Sequence, residues 1–141
     1  MERIALGLIL VGAFAVRAFG IERNGWGADY YSAAVYSMGS SWRNFFFCAF
    51  DPAAFISVDK PPIALWIQVA STKLFGFHPA ALLLPQAVEG TLCAGLAYWL
   101  VRRRFDAAAA LVAAFLVAIT PVLVAVNRTN NMDSALLLVL R

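Results

Sequence analysis

Asp29, Asp51, Asp59 and Lys60 all fall between Gly27 and Pro62, a stretch flanked on both sides by strongly apolar sequence. A carboxylate at such a place can take a proton from an alcohol or hold a cation, and a fixed lysine can neutralise a phosphate. Asp29 heads the helix-compatible run Tyr30 to Val35, so a helix N-cap is an equally physical role for it, and the two roles are compatible. Asp59-Lys60-Pro61-Pro62 stiffens the backbone and places Lys60 at the start of the next helix. The alternative for Asp59 and Lys60 is a solvated ion pair of little worth.

Other candidates lie outside that stretch. Glu89 follows Pro85 inside a long apolar run, and an acid within a membrane span is either functional or hydrogen-bonded, here to Gln86 or another helix. Arg17 ends the first apolar run, where it can snorkel or meet a phosphate. The polar turn Asn127 to Asp133 contains Arg128 and a glycosylation-type triplet at Asn127, and Asp133 can cap a helix from Ser134. Trp42, Phe45, Phe46, Phe47 and Phe50 read as an interfacial aromatic belt or as a wall for a lipid chain. Asp51-Pro52 is a turn signal and His78 a loop residue.

The elements that must position these residues are membrane helices. The chain is 62% hydrophobic and 13% charged, against roughly 25% in soluble domains. The +3 net charge rests on arginines such as Arg102, Arg103 and Arg104 beside an apolar run, the pattern of a membrane anchor and not of a nucleic-acid surface. Cys48 and Cys93 sit in unlike surroundings without metal-ligand spacing. Residues 4–19 read as a first span, with a signal peptide as the rival. Residues 20–79 read as an external loop, 80–101 and 107–126 as two spans, and 134–141 as a truncated span.

Within the loop, Ile63 to Phe75 is too short to cross, and Gln68, Ser71 and Thr72 share one face, as in an amphipathic interfacial helix. If that helix does not cross, the positive-inside rule puts the N-terminus and the triple arginine in the cytoplasm. The acid-bearing loop and the Asn127–Asp133 turn then share the extracytoplasmic side of a multi-pass plasma-membrane protein. The expected fold class is therefore all-α and integral to the membrane, the N-terminal part of a longer protein.

The order of motifs resembles a known family. A span is followed by Gly-x-x-Tyr-Tyr with an acid and then Val58-Asp-Lys-Pro-Pro62. Leu84-Pro-Gln-Ala87, an Arg-Arg-x-Phe turn and Asn130-Asn-x-Asp133 complete the series. This is similar to glycosyltransferase family 39, which includes protein O-mannosyltransferases and the aminoarabinose transferase ArnT, and in particular to its bacterial YkcB-like branch. The resemblance covers nearly the whole chain. It implies a GT-C-type transmembrane helix bundle with juxtamembrane helices in the first external loop, and inverting transfer from a polyprenyl-phosphate sugar donor to an envelope acceptor. It implies Asp29 as base or divalent-metal contact, Asp133 as a second catalytic acid, and Lys60, Arg17 and Arg128 as contacts of the donor phosphate. Tyr30, Tyr31, Asp59, Trp66 and Glu89 become candidates for the lipid or substrate pocket. Many relatives carry Asp-Glu where this chain has Ala28-Asp29. The competing functions are a transporter fragment, which would use Glu89 and Arg17 as pathway charges, and a non-catalytic membrane protein acting by helix association.

Overall fold

The computed structural model describes residues 1–131, which form helices and no strand. α1 spans Glu2–Ala18 and a 3-10 turn spans Ile21–Asn24. Then come α2 (Asp29–Met38), α3 (Trp42–Phe46), α4 (Pro62–Phe75), α5 (Pro79–Arg102), α6 (Ala107–Ile119) and α7 (Pro121–Val126). Asp133 and the expected truncated span at 134–141 lie outside the described residues.

α5 is the axis of the fold. It packs on α1, α4, α6 and the 3-10 turn, and among the described residues it is the one helix long and apolar enough to cross a bilayer. Ala13, Ala94 and Ala118 bury their methyls where α1, α5 and α6 meet, small side chains that let the backbones approach. A second core joins α2, α4 and α5 through Val35, Met38, Leu65, Val69 and Leu82. At one end of the bundle Arg102 Nε donates to Glu2 Oε1 at 2.9 Å, and Tyr98 donates to the same carboxylate. The N-terminus and the triple arginine therefore share one end, and the α1 C-terminus lies at the other.

Two prolines decide local details. Pro121 has no N–H for the carbonyl of Val117, so the expected single span at 107–126 divides into α6 and α7. Pro85 sits within α5 and likewise leaves the carbonyl of Ala81 without its helical donor. Both gaps are filled from other helices: Arg17 Nη2 donates to Val117 O at 3.1 Å, and Ser71 Oγ donates to Ala81 O at 2.6 Å.

The second of these bonds corrects the amphipathic reading of α4. Its polar stripe faces the protein and not water: Gln68 and Thr72 are buried and Ser71 is partly so. The exposed face carries Ile63, Ile67, Leu74 and Phe75 instead.

Candidate functional site

Asp29 is the first residue of α2, and Ala28 is its N-cap, without any side-chain cap bond. The expected capping role for Asp29 is thus corrected. Its carboxylate lies at the positive end of the α2 dipole, exposed and with no hydrogen bond or ion pair among the described residues. It lines a cleft of about 480 Å³ with Trp26, Ser32, Tyr36, Asp51 and Phe77. Trp26 and Phe77 stack at 4.8 Å between ring centroids, and Tyr36 meets Phe77 edge-on at 5.1 Å. A free acid beside aromatic rings suits a hydroxylated substrate.

Asp51 shares the cleft but has another task. Oδ2 accepts from Ile56 N at 2.9 Å and from Phe55 N at 3.0 Å, and Oδ1 accepts from Ala53 N at 3.0 Å. These amides, Ile56 first, hold its carboxyl below the usual carboxylate range. The folded value is the depressed one, so the loop gains stability above the unfolded carboxyl value and loses it as pH falls through the folded value. Acid is therefore expected to release residues 51–56 only below the ordinary titration range of aspartate, while Asp51→Asn removes this pH dependence. Hydrogen exchange of that segment against pH reads both.

Tyr30 is exposed and stacks on Phe50 at 4.6 Å, whereas Tyr31 packs partly buried against the α2–α4 core. Trp66 donates from Nε1 to Phe45 O at 2.9 Å and stacks on Phe45, so it fastens α3 to α4. Asp59 and Lys60 are both exposed, 3.9 Å apart. Lys60 is not among the residues lining the Asp29 cleft.

Glu89 is 4% exposed. In the amide orientation that satisfies both ends of Gln86, that side chain donates to Glu89 Oε2 (3.2 Å) and Asn131 O (2.7 Å) and accepts from Gln68 Nε2 (2.9 Å). The hydrogen-bonded alternative for Glu89 accordingly describes its surroundings, although Glu89 Oε1 and Gln68 Oε1 are buried without a donor among the described residues.

Arg17 neither snorkels nor reaches a surface: it is fully buried. Its guanidinium donates to Asn127 Oδ1 (2.9 Å), Ala13 O (3.1 Å), Ala118 O (2.8 Å) and Val117 O (3.1 Å). A phosphate has no approach to it, which corrects the expectation of a donor contact there. Arg128 Nη1 donates to Val16 O, Arg17 O and Phe19 O, satisfying the carbonyls at the end of α1. Asn127 is 6% exposed, so the glycosylation-type triplet is closed in the folded chain.

A divalent ion needs several oxygen ligands. Among the described residues Asp29 offers one free carboxylate, and no group of three His, Cys, Asp or Glu side chains converges.

Composition and pattern did not single out Asn130, Trp26 or Phe77. Asn130 is fully buried, and its amide pairs with the main chain of Ala28. Its signal in the sequence is its place in the Asn130-Asn-x-Asp133 motif.

The sequence pattern of the dolichyl-phosphate-mannose-protein mannosyltransferase family matches residues 59–141, more than half of the chain. The chain belongs to this family. Two proteins of Bacillus subtilis (strain 168) are similar over nearly its whole length. "Putative mannosyltransferase YycA" is 44% identical over 136 residues, 96% of this chain and 20% of that protein. "Putative mannosyltransferase YkcB" is 44% identical over 133 residues, 94% of this chain and 19% of that protein. The chain thus spans about a fifth of the length of these curated relatives. No solved structure matches it. The family match takes in Lys60, Trp66, Glu89, Arg128 and Asn130, while Asp29 lies before it.

Proposed function

We propose that the chain forms part of a membrane glycosyltransferase that moves a sugar from a polyprenyl-phosphate donor to an acceptor outside the cytoplasm, with inversion at the anomeric carbon. The observation that carries this reading is Asp29: a carboxylate without a hydrogen bond or ion pair among the described residues, in an aromatic-walled cleft of a chain of the mannosyltransferase family.

Asp29 takes the proton of an acceptor hydroxyl as its oxygen forms the new bond to the anomeric carbon. The bond from that carbon to the phosphate oxygen breaks, and its electron pair leaves on the polyprenyl phosphate. Lys60, exposed outside the lining of the Asp29 cleft and 3.9 Å from Asp59, is the cation assigned to that growing charge. Arg128 keeps the end of α1 in place, with its own charge half-buried nearby. Exposed aromatic and aliphatic side chains such as Trp42, Phe46, Phe47 and Phe55 give the apolar surface that a polyprenyl tail and the bilayer require. The Asp29 and Arg128 end of the bundle faces outward, and the Glu2–Arg102 end faces the cytoplasm, where the triple arginine belongs.

The test uses membranes carrying the full-length protein and a radiolabelled polyprenyl-phosphate hexose. Label is expected to pass into an acceptor, and Lys60→Ala to slow that transfer about 100-fold, the scale of losing one donor to a developing anion. No movement of label from any of several sugars, at good expression, contradicts the proposal.

A further inference from the structure

We infer that Asn130 is the positioning residue for Asp29. The inference rests on the transferase reading above and goes beyond it by naming what holds the acid in place.

Ala28 is the N-cap of α2 but has no side chain able to cap. The segment before it contains Gly25 at φ +60° and Gly27 at φ +70°, backbone that turns easily. Within the loop, Ser32 Oγ contacts Trp26 O (2.5 Å) and Ala28 O (3.1 Å), which ties α2 to its own loop but not to the rest of the bundle. Asn130 supplies the missing constraint from 102 residues away. Its Oδ1 accepts from Ala28 N at 2.6 Å, and its Nδ2 donates to Ala28 O at 3.1 Å and to Ser32 Oγ at 2.9 Å. One planar amide thus reads both polar groups of the peptide units flanking Ala28 and the first turn of α2.

The fit leaves no room for variation. A Cβ at Gly27 would lie 2.6 Å from Asn130 Oδ1 and 3.2 Å from Asn130 N, so the chain passes there without a side chain. The turn carrying Asn130 is itself held on both sides. Asn24 Nδ2 donates to Arg128 O at 2.8 Å, and the Arg128 side chain grips the end of α1. Asp29 is therefore fixed relative to α1 and the turn after α7, not merely to its own loop. A reacting group displaced by about 1 Å loses on the order of 100-fold in rate.

The experiment compares wild type, Asn130→Ala, Asn130→Asp and Gly27→Ala in the full-length protein, measuring kcat and KM for transfer and hydrogen exchange of residues 25–32. For Asn130→Ala and Gly27→Ala we expect kcat to fall about 100-fold with KM near wild type. Exchange should speed up at residues 25–32 and stay unchanged in α5 and α6. Asn130→Asp keeps an acceptor for Ala28 N–H and should fall between wild type and alanine in both readouts. A wild-type kcat in Asn130→Ala, or exchange that rises throughout the bundle with kcat per folded molecule preserved, overturns the inference. If the wild type itself transfers no sugar, the transferase reading fails and exchange alone decides. Deprotection confined to residues 25–32 then keeps Asn130 as the residue that sets this loop, and unchanged exchange overturns it.

Discussion

Arg17→Leu should be the most damaging single substitution in the folded chain. It removes the donors of Val117 O and Ala118 O and one partner of Asn127 Oδ1, the last two bonds buried and the first partly so. Pro121 cannot supply Val117 O, so no repair within the helix is available. Each buried acceptor left without a donor costs about 1–3 kcal/mol. The sum takes a large part of a stability of about 5–15 kcal/mol. Gly90→Ala should reproduce the effect from the other side, because a Cβ there would stand 2.7 Å from Arg17 Nε and run into the Asn127 amide. Ser71→Ala is the graded control: it strips one carbonyl, Ala81 O, and should cost about 1–3 kcal/mol. Thermal unfolding in detergent, followed by yield of monodisperse protein, reads the order Arg17→Leu and Gly90→Ala well below Ser71→Ala. Arg17→Leu melting like wild type would show that the helix junction does not depend on this guanidinium.

The largest effect on activity is expected at Asp29. A positioned general base contributes about 100- to 10,000-fold, and Asp29→Asn keeps the shape of the side chain while removing its basicity. Transfer should fall by that range while stability falls by no more than about 1 kcal/mol, the worth of a charge at a helix N-terminus, because Asp29 makes no hydrogen bond among the described residues that asparagine would lose. Asp51→Asn tests the contrast within one cleft. Its carboxylate is held by Ile56, Phe55 and Ala53 amides, so this substitution should loosen residues 51–56 and leave transfer within a few-fold of wild type. If the two substitutions changed places in their effects, the base would have to be reassigned to Asp51.

The helices were legible where hydrophobic runs and prolines mark them. α1 and α5 begin and end within two residues of the runs that announced them. The order Asp-Lys-Pro-Pro, Arg-Arg-x-Phe and Asn-Asn-x-Asp was enough to point to the family that the match at residues 59–141 establishes. What could not be read was which polar residue answers which unpaired backbone group. Arg17 at the end of a span looks like a snorkelling residue until Pro121, a hundred positions later, is seen to leave a carbonyl beside it. Ser71 and Gln68 look like a wet face until Pro85 and Gln86 are brought against them. Asn130 and Ala28 carry no local sign of each other, since their pairing exists only once α1, α5 and α6 have packed. Periodicity reports which face is apolar, and it carries no information about a partner a hundred residues away.

The most direct test of the central claim is release of polyprenyl phosphate from a radiolabelled polyprenyl-phosphate hexose, in membranes with matched amounts of the wild-type and Asp29→Asn full-length proteins. Release is expected from the wild type, with a loss of at least about 100-fold in the mutant. Equal release by both would contradict the role given to Asp29, and release by neither, from any of several sugars at good expression, would contradict the transferase itself.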